Sequence, residues 1–190
     1  EDAASIAAVN ETKGQVVFAE NQVAETYFYS VSAGVSAGIK EVWFAKKDRS
    51  YLMPCVLLGD SRKTLDLQKE ADFSEFLQGE IKSYDTNSPW YRWRTTVSEK
   101  QLQQFISEKI KSRYEKNPTQ IQTKQKDGTF FSTGQTELGE IKKVEILKRG
   151  KSGVAVMAQI TGSKNTLRIY TEYNLRNLFG GEKLIYLRKD

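Results

Sequence analysis

The sequence predicts an α+β fold, with mostly antiparallel strands and hairpins and a few helices. Three observations lead there. Short β-prone runs come in neighbouring pairs separated by tight polar turns. Helical periodicity appears in isolated stretches and never in the regular strand–helix alternation that a parallel sheet requires. The chain has 190 residues, 38% of them hydrophobic and 11% aromatic, enough to bury a core without disulfide staples.

Taken in order, Asp2–Asn10 reads as a short Ala-rich helix stopped by Thr12-Lys13-Gly14. Gln15–Ala19 and Ala24–Ser30 read as two strands around the polar turn Glu20-Asn21-Gln22. The small-residue stretch Val31–Gly38 suits close backbone approach better than a packed strand, with Val42, Trp43 and Phe44 as an apolar anchor beside it. Pro54–Leu58 reads as a strand, with Cys55 a buried small hydrophobe inside it. Asp72-x-x-Glu75 reads as a capping box opening a short helix, with Phe73, Phe76, Leu77 and Ile81 on one side. Tyr91–Val97 alternates like a strand. Ser98-x-x-Gln101 caps the strongest helix, Glu99–Tyr114, which stops before Pro118. Thr119–Gly139 reads as a long polar loop. Lys143–Lys148, Val154–Thr161 and Thr166–Tyr170 read as three strands whose short connections permit only an antiparallel meander. A helix capped by Thr171 follows and ends at Gly180-Gly181. The whole chain is treated as one domain, with candidate sub-boundaries near residues 60–70 and 119–139.

Composition removes several chemistries. With no histidine, these residues hold no Ser-His-Asp triad, no His-Glu-x-x-His metal site and no histidine base. A single cysteine excludes an internal disulfide and a cysteine zinc cluster, and no cofactor or metal is expected. No apolar run approaches the roughly 18 residues of a membrane span, and the acidic Glu1-Asp2 start is unlike a secretory leader. The net charge of +5 favours polyanions, whether nucleic acid or anionic wall polymer.

Two constellations are candidate binding elements. Tyr29, Ser30, Ser32 and Gly34 set hydroxyls among small residues, which can line a groove and bond sugar hydroxyls; the alternative is a turn packed under Trp43. Trp90, Tyr91 and Trp93 form an aromatic group able to stack on sugar rings or on bases, although strand alternation commits part of it to a core. Lys142, Lys143, Lys148, Arg149 and Lys151 read as a solvated strand face and turn. Gly162-Ser163-Lys164 lacks the frame of a phosphate loop and reads as a hairpin turn.

Three segments in a fixed order carry a family resemblance. Ala7–Trp43 contains a helix, Thr12-x-Gly14-Gln15-Val16, a hairpin, Tyr29-Ser30-Val31-Ser32-Ala33-Gly34 and Val42-Trp43. Tyr51-Leu52 and Ser88-Pro89-Trp90-Tyr91-Arg92-Trp93 form the second, and Val144-Glu145-Ile146-x-Lys148-Arg149, Thr161-Gly162-Ser163-Lys164 and Thr171–Phe179 the third. Together they resemble an internal stretch of the stage II sporulation protein D family, bacterial lytic transglycosylases. That resemblance implies binding of denuded peptidoglycan glycan strands, with Tyr29, Ser30, Ser32, Gly34, Tyr51 and Trp90 lining the cleft, and an extracytoplasmic setting in sporulation or wall remodelling. It also implies other cell-wall or sporulation proteins as partners. The departures are specific: Tyr29 stands for the motif histidine, Ala33 for a glycine, and Met53 for the lysine of Tyr-Leu-Lys. The family's glutamate-bearing segment would precede residue 1 and its Gly-His-Gly-x-Gly-Met-Ser-Gln element would follow Asp190, so no catalytic residue is assigned within the chain. Glu25, Glu41 and Asp85 are the carboxylates nearest the candidate elements, each otherwise an ordinary solvated side chain. A non-catalytic wall-binding module and a basic nucleic-acid-binding domain are the alternatives.

Overall fold

The computed structural model describes residues 2–43, 49–57, 65–79 and 82–180. The chain divides into two compact units, Glu1–Ser30 and Val31–Asp190. The sub-boundaries expected near 60–70 and 119–139 both fall inside the second unit, and residues 58–64 lie outside the described residues.

The first unit is a helix and a minimal hairpin. Asp2 caps helix α1 (Ala3–Glu11), its carboxylate accepting from the backbone of Ser5 at 2.9 Å. Strands β1 (Phe18–Ala19) and β2 (Gln22–Val23) pair antiparallel through a two-residue turn, with Glu20 and Asn21 at φ 51° and 59°. Positive φ at both central positions gives the turn the twist that closes a hairpin. The second strand expected at Ala24–Ser30 does not form; the last cross-strand bond is from Ala24 N to the Val17 carbonyl at 2.8 Å, and no described residue of 2–30 is buried.

The second unit holds the core. It opens with strand β3 (Val35–Ser36), so part of the small-residue stretch is a strand after all, paired antiparallel with β4 (Cys55–Val56). Cys55 is exposed rather than buried, because this two-stranded ribbon has only one short partner and no second layer over its cysteine. Helix α2 (Ile39–Val42) is a single turn, and the residue after it, Trp43, leans on the Tyr173 ring at 6.4 Å. Of the expected anchor, Phe44 lies outside the described residues.

Helix α3 (Glu70–Gln78) starts two residues before the expected capping box. Asp72 instead reaches back to accept from the Asp66 N–H at 2.9 Å, so its carboxylate braces the approach to the helix rather than its first turn. Phe76 is buried and Leu77 is exposed, while Ile81 lies outside the described residues. No strand forms over 91–97: the Ser88 carbonyl accepts from Tyr91 N at 3.0 Å, a turn that folds the segment back on itself. Helix α4 (Glu99–Lys116) carries the expected capping box in full, with Gln101 N donating to Ser98 Oγ and Ser98 N to Gln101 Oε1. It ends at Asn117, ahead of a 3₁₀ turn over Pro118–Gln120.

The expected polar loop at Thr119–Gly139 contains two strands, β5 (Ile121–Lys124) and β6 (Phe130–Phe131). The physical reason is alternation: Ile121 and Thr123 are buried while Gln122 is half-buried and Lys124 exposed. Strands β7 (Ile141–Arg149), β8 (Ala155–Gly162) and β9 (Thr166–Tyr170) form the expected antiparallel meander and join β5 and β6 in one sheet ordered β6-β5-β9-β8-β7. Glu145 pairs with Gln159 and Ile146 with Ala158. Helix α5 (Glu172–Leu178) follows, with Thr171 Oγ1 accepting from Asn174 N at 3.5 Å.

Helices α4 and α5 cover one face of this sheet. Ile106 and Ile110 of α4 and Leu175 and Leu178 of α5 pack on Ile121, Ile160, Leu167 and Ile169, the last four each 0% exposed. Where the helices meet, buried Arg113 donates twice to Asn174 Oδ1, at 2.9 and 2.6 Å, and Asn174 Nδ2 donates to Gln120 Oε1 at 2.7 Å. The buried guanidinium, bonded to an amide oxygen, also stacks on the Tyr173 ring, 4.7 Å from its centroid, and these contacts offset its desolvation. No helix among the described residues is long and apolar enough to cross a membrane.

Candidate functional site

The small-residue loop is built around Asp85. Its carboxylate accepts from both Ser32 N (2.7 Å) and Ser32 Oγ (2.9 Å), and Ser32 Oγ accepts in turn from Gly34 N at 3.2 Å. Gly34 holds φ 96°, a conformation that side chains avoid. From the other side Arg92 donates to the Ala33 carbonyl at 2.8 Å, its guanidinium lying between the rings of Tyr91 (4.2 Å) and Phe76 (4.7 Å). Burial lowers Arg92 from the ordinary guanidinium value. The loop is therefore cross-braced by residues more than fifty positions away in sequence.

This geometry corrects one expectation. Ser32, placed by sequence on a solvent-facing groove, is only 6% exposed and spends its hydroxyl on Asp85. The other named residues distribute as follows. Gly34 is buried beside Ser32, Tyr51 is half-buried, and Trp90 is 40% exposed. Tyr29 and Ser30 belong to the first unit, where both are exposed. Tyr91 is buried while Trp90 and Trp93 are both exposed, so part of the aromatic group is core as expected, but Trp93 does not share the face of Tyr91 as strand alternation would have it.

A cleft of about 300 Å³ opens next to the loop. Its apolar floor is made by Ile39, Leu52, Pro54 and Val156, and its rim by Met53, Gln68, Lys148 and Lys151. Gly38 packs so closely on Pro54 that a Cβ there would lie 2.7 Å from its ring. The brace of the cleft is Glu41: it accepts from Gly38 N at 3.1 Å and from Ser152 N at 3.3 Å, and takes a further short hydrogen bond from Ser152 Oγ. Glu41 thus ties α2 to the β7–β8 turn across 111 positions of sequence. Gly150 faces this carboxylate, and a side chain at that position would collide with it. Sequence reasoning treated Glu41 as a solvated carboxylate; its separation from Ser152 left no local signal to find the pair.

Arg149 also departs from its expected solvated position. It makes a two-pronged ion pair with Glu70 (2.7 and 2.9 Å) and lies 3.8 Å over the Phe73 ring, fixing α3 to the end of β7. The hydrogen bonds from Arg149 hold the Glu70 carboxyl below its ordinary range. Lys142, Lys143, Lys148 and Lys151 are exposed as expected. No group of three or more His, Cys, Asp or Glu able to hold a metal occurs among the described residues.

A family model described as a domain of unknown function (DUF8618) matches residues 37–129. The match takes in the Gly38–Glu41 and Leu52–Pro54 walls of the cleft together with α3 and α4, and ends before the β7–β8–β9 meander that supplies the remaining wall. No curated protein and no solved structure matches the chain.

Proposed function

We propose that this chain binds peptidoglycan glycan strands and forms part of the cleft of a stage II sporulation protein D-like domain acting on denuded strands outside the cytoplasm. One observation carries the reading. Leu52, Lys148 and Arg149 belong to resemblance motifs far apart in the chain, and they line one cleft with Gly38–Glu41 and Met53, although none of Tyr29, Ser30, Ser32, Gly34, Tyr51 and Trp90 is among its lining residues. Its chemistry suits the ligand: an apolar floor can meet the faces of pyranose rings, and rim lysines can meet the lactyl carboxylates that stripped muramyl residues expose. The cleft's volume lies at the lower end of the range for small-ligand pockets, in keeping with a subsite for a short stretch of a longer chain.

A binding role without cleavage by these residues alone is favoured by the carboxylates themselves. Glu41 braces Gly38 and Ser152, and Asp85 braces Ser32, so both are committed to holding backbone and hydroxyl groups. A general acid must instead present its proton to the leaving oxygen of the glycan. The test combines binding with product analysis. Short denuded oligomers bind the chain, and Lys151→Glu weakens them about fivefold by placing like charge at the rim. No anhydromuramyl ends are expected by mass spectrometry after prolonged incubation. Unchanged affinity in the variant removes the cleft as the site, and abundant anhydromuramyl ends return Glu25, Glu41 or Asp85 to consideration as an acid.

A further inference from the structure

A second cleft lies at the other end of the sheet, between two hairpin turns. One is the β5–β6 turn, where Asp127 accepts from Thr129 N (2.9 Å) and Thr129 Oγ1 (2.6 Å) and Gly128 takes φ 87°. The other is the β8–β9 turn over residues 162–165. It is moored to the irregular segment that precedes β7: Lys164 N donates to the Leu138 carbonyl at 2.9 Å and Asn165 Nδ2 to that of Glu137 at 2.7 Å. Because Thr123 pairs with Leu167, the two turns project from the same end of the sheet and enclose an open cleft of about 820 Å³.

The lining is polar and basic. Lys124 at the end of β5 and Lys126 in the turn after it face Lys164 of the other turn, with Gln125, Gln135 and Asn165 between them and Asp127 as the single carboxylate of the lining. Lys164 is paired with Glu137 at 2.5 Å, whereas neither Lys124 nor Lys126 has a carboxylate partner among the described residues. Two unneutralised ammonium groups beside a set of amides call for a ligand that is anionic and rich in hydroxyl or acetamido groups. Single-stranded nucleic acid would want aromatic faces for its bases, and no lining residue is aromatic. The nearby ring of Phe130 is already covered by the Arg168 guanidinium at 3.8 Å.

We propose that this cleft is a second subsite for a carboxylate-bearing polysaccharide, gripped through Lys124 and Lys126. In identifying that polymer as the muramyl glycan, the inference rests on the reading above. The β7–β8 turn and the β8–β9 turn stand at opposite ends of β8, whose 8 residues span about 25 Å at the usual strand rise. A chain long enough to reach both clefts gains by linking two weak contacts, and a short oligomer does not.

The experiment is a titration of Lys124→Glu/Lys126→Glu against the unaltered chain, using labelled denuded strands, short denuded oligomers, hyaluronate and a deoxythymidine oligomer. Both lysines are exposed, so the fold should persist, and thermal melts check that it does. The expected result is a loss of about tenfold for long strands at low salt, with a flatter salt dependence and unchanged binding of short oligomers. Amidating the strand carboxylates should produce at least that loss in the unaltered chain, because it also removes the partners of the rim lysines in the first cleft. If the variant binds long strands as well as the unaltered chain does, the second subsite is overturned while the glycan reading stands. If hyaluronate binds through the two lysines but muramyl strands bind nowhere, the cleft's chemistry is supported and the muramyl identity falls. Absence of binding to both polysaccharides overturns the subsite and the reading together. Preferential, lysine-dependent capture of the deoxythymidine oligomer overturns the subsite in favour of nucleic acid.

Discussion

Ser32 shows how much a single hydroxyl can be asked to do. Its N–H and O–H both point at one Asp85 oxygen, and its own oxygen holds Gly34. Ser32→Ala should therefore cost about 1–3 kcal/mol of folding stability, the scale of a hydrogen bond to a charged group. Denaturant unfolding measures it, with Asp85→Asn as the companion variant. Two glutamates make a second residue-scale contrast. Glu70, bonded by Arg149, has its carboxyl lowered, so its contribution is present above the unfolded carboxylate range and lost as the pH falls through the folded value. Glu172 has the opposite sign, because burial outweighs its pairing with Arg176 and raises the carboxyl. The fold then favours protonated Glu172, a contribution present in acid and lost as pH rises through the unfolded and then the folded value. In stability–pH profiles, Glu70→Gln should lower stability near neutrality and converge on the parent chain in acid. Glu172→Gln should match or exceed the parent near neutrality, and again converge in acid.

At the scale of elements, legibility followed the range of the interactions. The α4 helix was readable in detail because its signals are local: Ser98 and Gln101 cap each other, the apolar stripe repeats along one face, and Pro118 forbids continuation. The meander was readable because turns of a few residues leave antiparallel pairing as the only option. Strand β5 was missed although Ile121 and Thr123 alternate with Gln122 and Lys124, since a four-residue run of mostly polar side chains looks like loop until β9 is seen to bury it. Tyr91–Val97 failed the other way: the alternation is present in the letters, but Arg92 is drawn to Ala33 and Phe76 and the segment becomes a turn. Of the residues that line the cleft, Leu52, Lys148 and Arg149 were in motifs singled out in the sequence, but no expected site residue is among them. Glu41's grip on Ser152 was not legible, because no local pattern announces a contact between α2 and a distant hairpin. Since Ile160 is fully buried between β7 and β9 and under the helices, Ile160→Ala should cost about 2–5 kcal/mol. Amide exchange should be slowest in β8 and β9 and should accelerate across the whole meander in that variant.

For the whole molecule, burial is concentrated in one of the two units. Every buried side chain among the described residues belongs to Val31–Asp190, and none to the first thirty residues. A chain beginning at Val31 is expected to unfold in one cooperative transition, with a midpoint within a few degrees of the parent. Calorimetry of the two proteins checks this, and a collapse of the transition would show that the first unit contributes to the core's stability by a route other than burial. The larger unit also carries both clefts, so glycan affinity should survive the same truncation.

The order of the five strands has a consequence for how the molecule behaves in company. One edge of the sheet is the two-residue β6, too short to invite pairing; the other is the nine-residue β7, long enough to serve as a template for a neighbour's backbone. What discourages that are its exposed lysines at 142, 143 and 148 and the irregular register after Ile141 and Ile146. Lys142 and Lys143 pair with Glu140 and Glu145. Acetylating Lys148 would therefore remove the charge left without a carboxylate partner among the described residues, leave Ile146 and Leu147 partly bare, and make the protein's colloidal behaviour depend on how crowded it is.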